Sequence, residues 1–366
     1  MHIAVPRETA PGERRVALLP ADVAKLAKLG HQIAVETQAG SQSSSIDSDY
    51  AKAGARIGAD FADTVRDAQV ICAVQPPALA DLAAIPTGAT VIAYLQPATS
   101  RPSIDALNAR RASALALELV PRITRAQSMD VLSSQATISG YRSVLLGAEA
   151  LDRLMPMLST AAGTLAPAKC FVLGAGVAGL QAIATARRLG ALVSGFDVRP
   201  AAREQILSLG ATVLKVEGID AEGSGGYARE QDAEQAARTQ AAIRAHVATM
   251  DLVITTAAIP GKRAPVLLTA ESIAGMKEGA VIVDLAAETG GNCEGTRAGE
   301  TVRVGGVRIL GPTNVPSQAA AHASQLLSKN VLTLLQHLTK ESALHIDPAD
   351  EITGAMLVCH QGELRV

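Results

Sequence analysis

Between Lys169 and Arg199, a short apolar run, a glycine turn, an amphipathic stretch, a second apolar run and an acid follow one another. Cys170 to Leu173 reads as a strand, and Gly174, Gly176 and Gly179 spell G-x-G-x-x-G. Val177 to Leu189 has helical spacing, Gly190 is a natural stop, and Leu192 to Phe196 is a second strand. Asp197 closes the unit 18 positions after Gly179. A lone glycine motif says little. Strand, turn, helix, strand and acid in this order predict a βαβ unit that binds a dinucleotide. Gly174 permits the tight turn, Gly176 lets the backbone approach a pyrophosphate, and Gly179 lets helix and strand pack closely. The helix N-terminus then offers unpaired N–H groups and partial positive charge to the phosphates. Asp197 is expected to accept hydrogen bonds from an adenosine ribose. A 2′-phosphate beside it would meet repulsion of up to ~4 kcal/mol at ~4 Å and an effective dielectric near 20. Arg199 can pair with such a phosphate, so it works against Asp197 in choosing NAD over NADP.

The rest of the chain repeats this alternation. His2 to Val5, Gln32 to Glu36, Gln69 to Val74, Thr90 to Leu95 and Ser113 to Leu117 are strand-length apolar runs. Pro20 to Leu29 is a helix ending at Gly30, and a short helix closes at Ala51 to Gly54. Strand and helix alternating at this pitch predict an α/β fold with a parallel sheet, here without a glycine fingerprint. A second sheet uses Cys170 to Leu173, Leu192 to Phe196, Thr212 to Val216, Leu252 to Thr255 and Ala280 to Asp284. Val302 to Val304 and Val307 to Leu310 flank Gly305-Gly306 as a hairpin. With 366 residues, two domains are expected. A discontinuous first domain takes 1–125 plus 330–366, and the second takes 135–315. Long helices at about 126–158 and 317–339 link them.

Composition excludes several classes. A net charge of −2, three Phe, four Tyr and no Trp leave neither a basic patch nor a stacking platform for nucleic acid. Hydrophobic content of 48% rests largely on Ala, and no uncharged apolar run approaches the ~18 residues of a spanning helix. The N-terminus has no signal-peptide core. Cys72, Cys170, Cys293 and Cys359 lack ligand spacing, so buried thiols are expected and no metal site. His31, His246 and His322 read as structural or surface residues, and Asp347 and Asp350 as solvating acids of a polar tail. The loop from Glu217 to Glu230, with four glycines and Tyr227, exceeds the usual connection length. It reads either as an insertion or as a flap that closes Tyr227 over a cofactor or partner.

These segments together resemble a known family, the soluble NAD(H)-binding alpha-subunit components of proton-translocating NAD(P) transhydrogenases. The resemblance spans the chain. It covers P-R-E-x-x-P-G-E-R-R-V-A-L-x-P at Pro6 to Pro20, R-A-Q-S-M-D-x-L-S-S-Q at Arg125 to Gln135 and the fingerprint at Gly174. It continues through G-S-G-G-Y-A-R-E, T-T-A-A-I-P-G-K-R-A-P-V-L from Thr255 and V-D-L-A-A-E-x-G-G-N-C-E from Val283.

The resemblance implies two Rossmann-like domains with NAD(H) in the cleft between them, and a homodimer. Hydride would pass directly to NADP(H) on a separate component, and proton translocation would belong to membrane-spanning partners. The chain would then be cytoplasmic, held at the inner membrane through those partners. It also implies that Arg122, Gln127, Asp130 and Ser133 serve the nicotinamide end and that Tyr227 is the catalytic-site tyrosine of a mobile loop. The remaining cofactor set is Gly174, Gly176, Val177, Ala178, Gly179, Asp197, Val198, Arg199, Thr256, Ala257 and Ala258. Gln127, Asp130 and Ser133 step by three along a helix start, so successive members are near neighbours that can hold a nicotinamide ribose and carboxamide; the alternative for them is a helix cap with a local Arg–Asp pair.

Alanine dehydrogenase shares the architecture and is the alternative. Its pattern has a lysine and a histidine where this chain has Gln75 and Gln96, and neither glutamine takes up a proton at neutral pH. Arg15 retains the substrate arginine.

Overall fold

The structure, a computed structural model, describes residues 1–216, 232–258 and 263–365. The chain forms two compact units, Met1–Gln135 with Pro316–Val366, and Ala136–Val315.

In the first unit an eight-stranded sheet runs in the order Glu363–Leu364, Leu357–His360, Ser113–Ala116, Thr90–Ala93, Val70–Cys72, His2–Val5, Gln32–Glu36, Arg56–Gly58. The last six are parallel, and their spatial order against chain order is the 3-2-1-4-5-6 of doubly wound nucleotide folds. The two C-terminal strands add on antiparallel, which the expectation of an all-parallel sheet with a polar tail missed. Buried Ile3, Val5, Val35, Val70, Cys72 and Ile92 pack against Leu327, Val331, Leu334 and Leu335 of the helix Ala320–His337. That helix is preceded by a 3₁₀ segment, Val315–Ala319, so it is shorter at both ends than the expected 317–339.

The second unit's seven-stranded sheet has the order Thr212–Val213, Leu192–Phe196, Lys169–Leu173, Leu252–Thr255, Val281–Asp284, Val307–Leu310, Thr301–Val304. In chain order the strands lie 3-2-1-4-5-7-6: the first six in space are again parallel, and the edge strand Thr301–Val304 runs antiparallel into Val307–Leu310 through the Gly305-Gly306 turn. Strand period decides the burial. Cys170 and Val172 enter one core with Ile183, Ile206 and Ile254, and Phe171 and Leu173 enter the other with Ile243, Val247 and Ile282.

The long helix expected over 126–158 is Val131–Ala150, preceded by the 3₁₀ segment Thr124–Met129. Asp130 breaks the two apart at φ −71° and ψ 90°. Beyond Ala150 the apolar spacing persists because Leu151 and Met155 are buried in the second unit's core, not because they are helical. Pro156 disfavours helix at the residue before it, and the chain turns into a small hairpin, Leu158–Thr160 with Gly163–Leu165. All four cysteines are buried free thiols. Burial pushes Cys72, Cys170 and Cys293 up to about 12 and Cys359 to about 11, so all are protonated.

Candidate functional site: two topological switch points

In a doubly wound sheet the crevice opens where strand order reverses, beyond the carboxyl ends of strands one and four. In the second unit those strands are Lys169–Leu173 and Leu252–Thr255, and the glycine turn follows the first of them directly. Gly174 has φ +94°, a conformation that excludes most side chains. A Cβ on Gly179 would lie 1.8 Å from the Gly174 carbonyl, so only glycine allows this helix start. Gly176 is the N-cap of Val177–Arg188, and a Cβ there would meet nothing within 4 Å. Gly176 and Val177 are exposed, Ala178 is half-buried, and their N–H groups crown a twelve-residue helix. The turn therefore has the open backbone face that a diphosphate needs. The helix's other side is closed by Gly140, whose Cβ would fall 2.1 Å from the Ala178 carbonyl.

Neighbouring groups hold this turn. Thr256 donates its hydroxyl to the Gly174 carbonyl at 2.9 Å. Ala257 is held through both backbone groups by Asn292, which accepts its N–H at 3.0 Å and donates to its carbonyl at 2.8 Å. Asn292 is fully buried, and its own N–H is accepted at 2.8 Å by the buried Asp284. That carboxylate also accepts from the Thr255 and Thr296 hydroxyls and from the Ala286 and Cys293 N–H groups. Asp284 and Asn292 belong to V-D-L-A-A-E-T-G-G-N-C-E, yet spacing alone does not single them out. Ala258 is exposed at the end of the same segment.

Asp197 is buried behind the turn, where one carboxylate oxygen accepts the Ala175 N–H at 2.8 Å. The Arg199 guanidinium grips both oxygens, at 2.9 and 2.7 Å. Burial alone would raise the Asp197 carboxyl, but Arg199 and the two backbone donors hold it below its ordinary value. Arg203 donates to the Asp197 and Val198 carbonyls, fixing the strand end.

The first unit's switch point lies past Val5 and Cys72 and holds acids where the second has glycines. Glu8 accepts the Val74 N–H at 2.6 Å and the Gln75 N–H at 3.1 Å, tying the two strand ends together. Burial pushes its carboxyl up to about 7 despite those donors. Glu13 and Arg15 form a buried bidentate pair at 2.8 and 2.7 Å. Gln75 donates to Glu13 at 2.9 Å, and Arg15 donates to Gln135 at 3.0 Å while stacking 5.7 Å from the Tyr94 ring centre. Burial opposes ionisation of Glu13, but Arg15 outweighs it and brings the carboxyl down to about 2. Gln96 stands past the neighbouring strand with φ +45° and donates its N–H to Glu118.

The segment Arg125 to Gln135 is braced within the same unit. Asp130 accepts the Ser133 N–H at 2.9 Å and its hydroxyl at 2.6 Å, so the acid caps the helix that begins at Val131. The cap is formed by Asp130 and Ser133. Arg122 and Gln127 are exposed. Asn330 accepts from Ser134 at 2.7 Å and donates to the Ser128 carbonyl at 2.7 Å. Arg125 donates to Asp350 at 3.0 Å, and His337 shares that carboxylate at 3.0 Å. Asp350 also caps Glu351–Met356, so the expectation of a merely solvating tail acid is corrected. The Thr353 N–H and His337 hold its carboxyl well below the usual carboxylate range, outweighing burial. His31 and His246 have structural roles, His246 bonding Ser194 at 2.8 Å against the edge of Phe171. No cluster of metal-ligating residues occurs among the described residues. Tyr227 and its loop lie outside them.

The N- and C-terminal domains described as alanine dehydrogenase/PNT match residues 4–139 and 143–366. The chain belongs to that family. Within it, the chain is 46% identical to an NAD(P) transhydrogenase alpha-subunit chain of Rhodospirillum rubrum, over all of this chain and 97% of that protein. A solved transhydrogenase from Sinorhizobium meliloti superimposes with a TM-score of 0.92 at 46% identity, each chain covered in full. A solved L-alanine dehydrogenase superimposes at 0.85 with 28% identity, over all of this chain and 96% of that one.

Proposed function

We propose that this chain is the NAD(H)-binding component of a proton-translocating NAD(P) transhydrogenase. The observation that carries the reading is an open glycine turn at the second unit's switch point, together with Gln75 at the first unit's and Gln96 past the strand beside it. Oxidative deamination needs groups that exchange protons, and these glutamines do not. Hydride exchange between two nicotinamides needs none at the reacting carbon. Bound NADH would supply the hydride, with both electrons, from its C4 to C4 of NADP on a partner, giving NAD and NADPH. The chain's task is then to bind, orient and present the ring, with the two carbons brought to roughly 3–3.5 Å.

The glycine turn would take the diphosphate on the N–H groups of Val177 to Gly179, and Asp197 the adenosine ribose, favouring NADH over NADPH. Thr256, Ala257 and Ala258 would line the crevice wall. Arg122, Gln127, Asp130 and Ser133 keep the nicotinamide role that the resemblance implies, and Tyr227 that of a closing loop. No helix among the described residues is long and apolar enough to cross a membrane. Translocation is therefore assigned to membrane-spanning partners that hold this chain at the cytoplasmic face. A homodimer is supported by the hairpin Leu158–Thr160/Gly163–Leu165, whose strand residues are all exposed, with Leu154 and Met157 beside it.

The test is reconstitution with candidate NADP(H)-binding and membrane components, following hydride exchange between NADH and an NADP analogue. Exchange that needs both proteins is expected. Rapid exchange by this chain alone, or NAD-dependent oxidation of L-alanine, would overturn the proposal.

A further inference from the structure

The parallel strands of the first unit also have amino ends, on the edge opposite Gln75 and Gln96. There a cavity of about 510 Å³ opens at the starts of Thr90–Ala93 and Ser113–Ala116, roofed by the chain that follows Ala343–Leu344. This is the size of a small-molecule site. Its lining contains no carboxylate. It contains the Arg111 guanidinium, the His345 and His360 rings and the Thr87 hydroxyl, with Leu344 and Ile346 as apolar walls.

The polar groups divide into held and open ones. Ser113 is buried and bonds His360 Nδ1 at 2.8 Å, which fixes the ring and leaves Nε2 for something else. Arg111, His345 and Thr87 have no side-chain hydrogen bond or ion pair to the described residues. Arg111 occupies the position just past the helix Arg101–Ala109 and its C-cap Arg110, where the left-handed turn usually calls for glycine. It adopts φ +55° with its N–H on the Asn108 carbonyl. Gln361, also on the lining, has φ +51°. Gly362 leaves room beside the Arg111 stem, a Cβ there coming only within 3.9 Å of Cγ.

We propose that this cavity is a binding site for a small metabolite bearing an oxyanion, a phosphate or a carboxylate. Such a group would be taken by Arg111, His345 and His360 Nε2, with its carbon skeleton against Leu344 and Ile346. Donor-rich walls with no acid call for an acceptor-rich ligand. An arginine fork with imidazoles matches the planar or tetrahedral oxygens of these two groups. The site lies on the sheet edge away from the switch point and does not depend on the nucleotide reading.

The test is calorimetric titration of the full chain with inorganic phosphate and, separately, with citrate, against the double variant Arg111→Ala/His345→Ala. Circular dichroism shows whether the variant is folded, and Thr87→Val provides a second, milder change. The expected result is saturable binding of one of the two anions, weakened at least tenfold in the double variant and less in Thr87→Val. Phosphate alone binding identifies a phosphorylated ligand, and citrate alone a carboxylate. Equal affinity in wild type and the folded double variant, or no saturable binding of either anion, overturns the proposal.

Discussion

Replacing Glu13 by Gln tests what holds the first unit's switch point together. The side chain is fully buried, and its carboxylate is shared among Arg15, Gln75 and the Ser317 hydroxyl. Its carboxyl lies near 2 in place of 4.5, and about 1.4 kcal/mol per pH unit converts that to about 3 kcal/mol favouring the ionised, folded state at pH 7. E13Q keeps the shape but leaves Arg15 buried without its counter-charge, a loss of roughly 3–5 kcal/mol. For a unit of this size, a deficit of about 3 kcal/mol lowers the melting temperature by roughly 6–12 °C. The folded carboxyl is depressed. The stabilisation is therefore fully present above the unfolded value of about 4.5 and disappears as pH falls through about 2. Urea unfolding of the wild type and E13Q from pH 7 down to pH 2.5 should show a gap that is constant above about pH 4.5 and narrows steadily below it. The double variant E13Q/R15M should recover most of the loss, because no buried charge then stands alone. An E13Q protein within about 0.5 kcal/mol of wild type at pH 7, or a gap that does not change with pH, would refute the pairing argument.

Two further predictions follow from positions already described. G176A meets no neighbouring atom and, apart from the small cost of alanine at the helix N-cap, should melt within a few degrees of the wild type yet lose NADH affinity at least tenfold in fluorescence titration. G179A drives its methyl into the Gly174 carbonyl and should lose both affinity and several degrees of stability; normal binding by G176A would remove the diphosphate from this turn. D350A should cost roughly 1–2 kcal/mol through the lost helix cap and release Arg125, whereas D350N keeps the cap and should lose less, as measured by urea unfolding.

What the sequence discloses about this protein is what it writes locally. Strand runs such as Gln32–Glu36 and Leu252–Thr255, the helix after Gly176 and the Gly305-Gly306 hairpin each follow from neighbours within a few residues. The braces of the candidate site do not. Ser317 reaches Glu13 and Asn330 reaches Ser134 across about 300 and 200 residues of chain, and no periodicity announces such partners. Asn292 reads as one more polar residue in a glycine-rich loop, and only the fold sets its amide on both backbone groups of Ala257. Asp350 misleads because an acid in a charged tail ordinarily faces water. Here the tail returns to the sheet, and the acid meets Arg125, His337 and two N–H groups. The long apolar stretch past Ala150 reads as helix because core burial and helical period leave the same trace in a short window.

The split first unit also bears on the order of assembly. During synthesis its first 135 residues emerge with six strands but without the Ala320–His337 helix that covers their apolar face or the Leu357–His360 strand that pairs with Ser113–Ala116. Residues 136–315 are contiguous and can close their own core first. The second unit can thus be complete while the first 135 residues still lack residues 316–366, with the Ser113–Ala116 edge unpaired, the kind of open edge that invites aggregation.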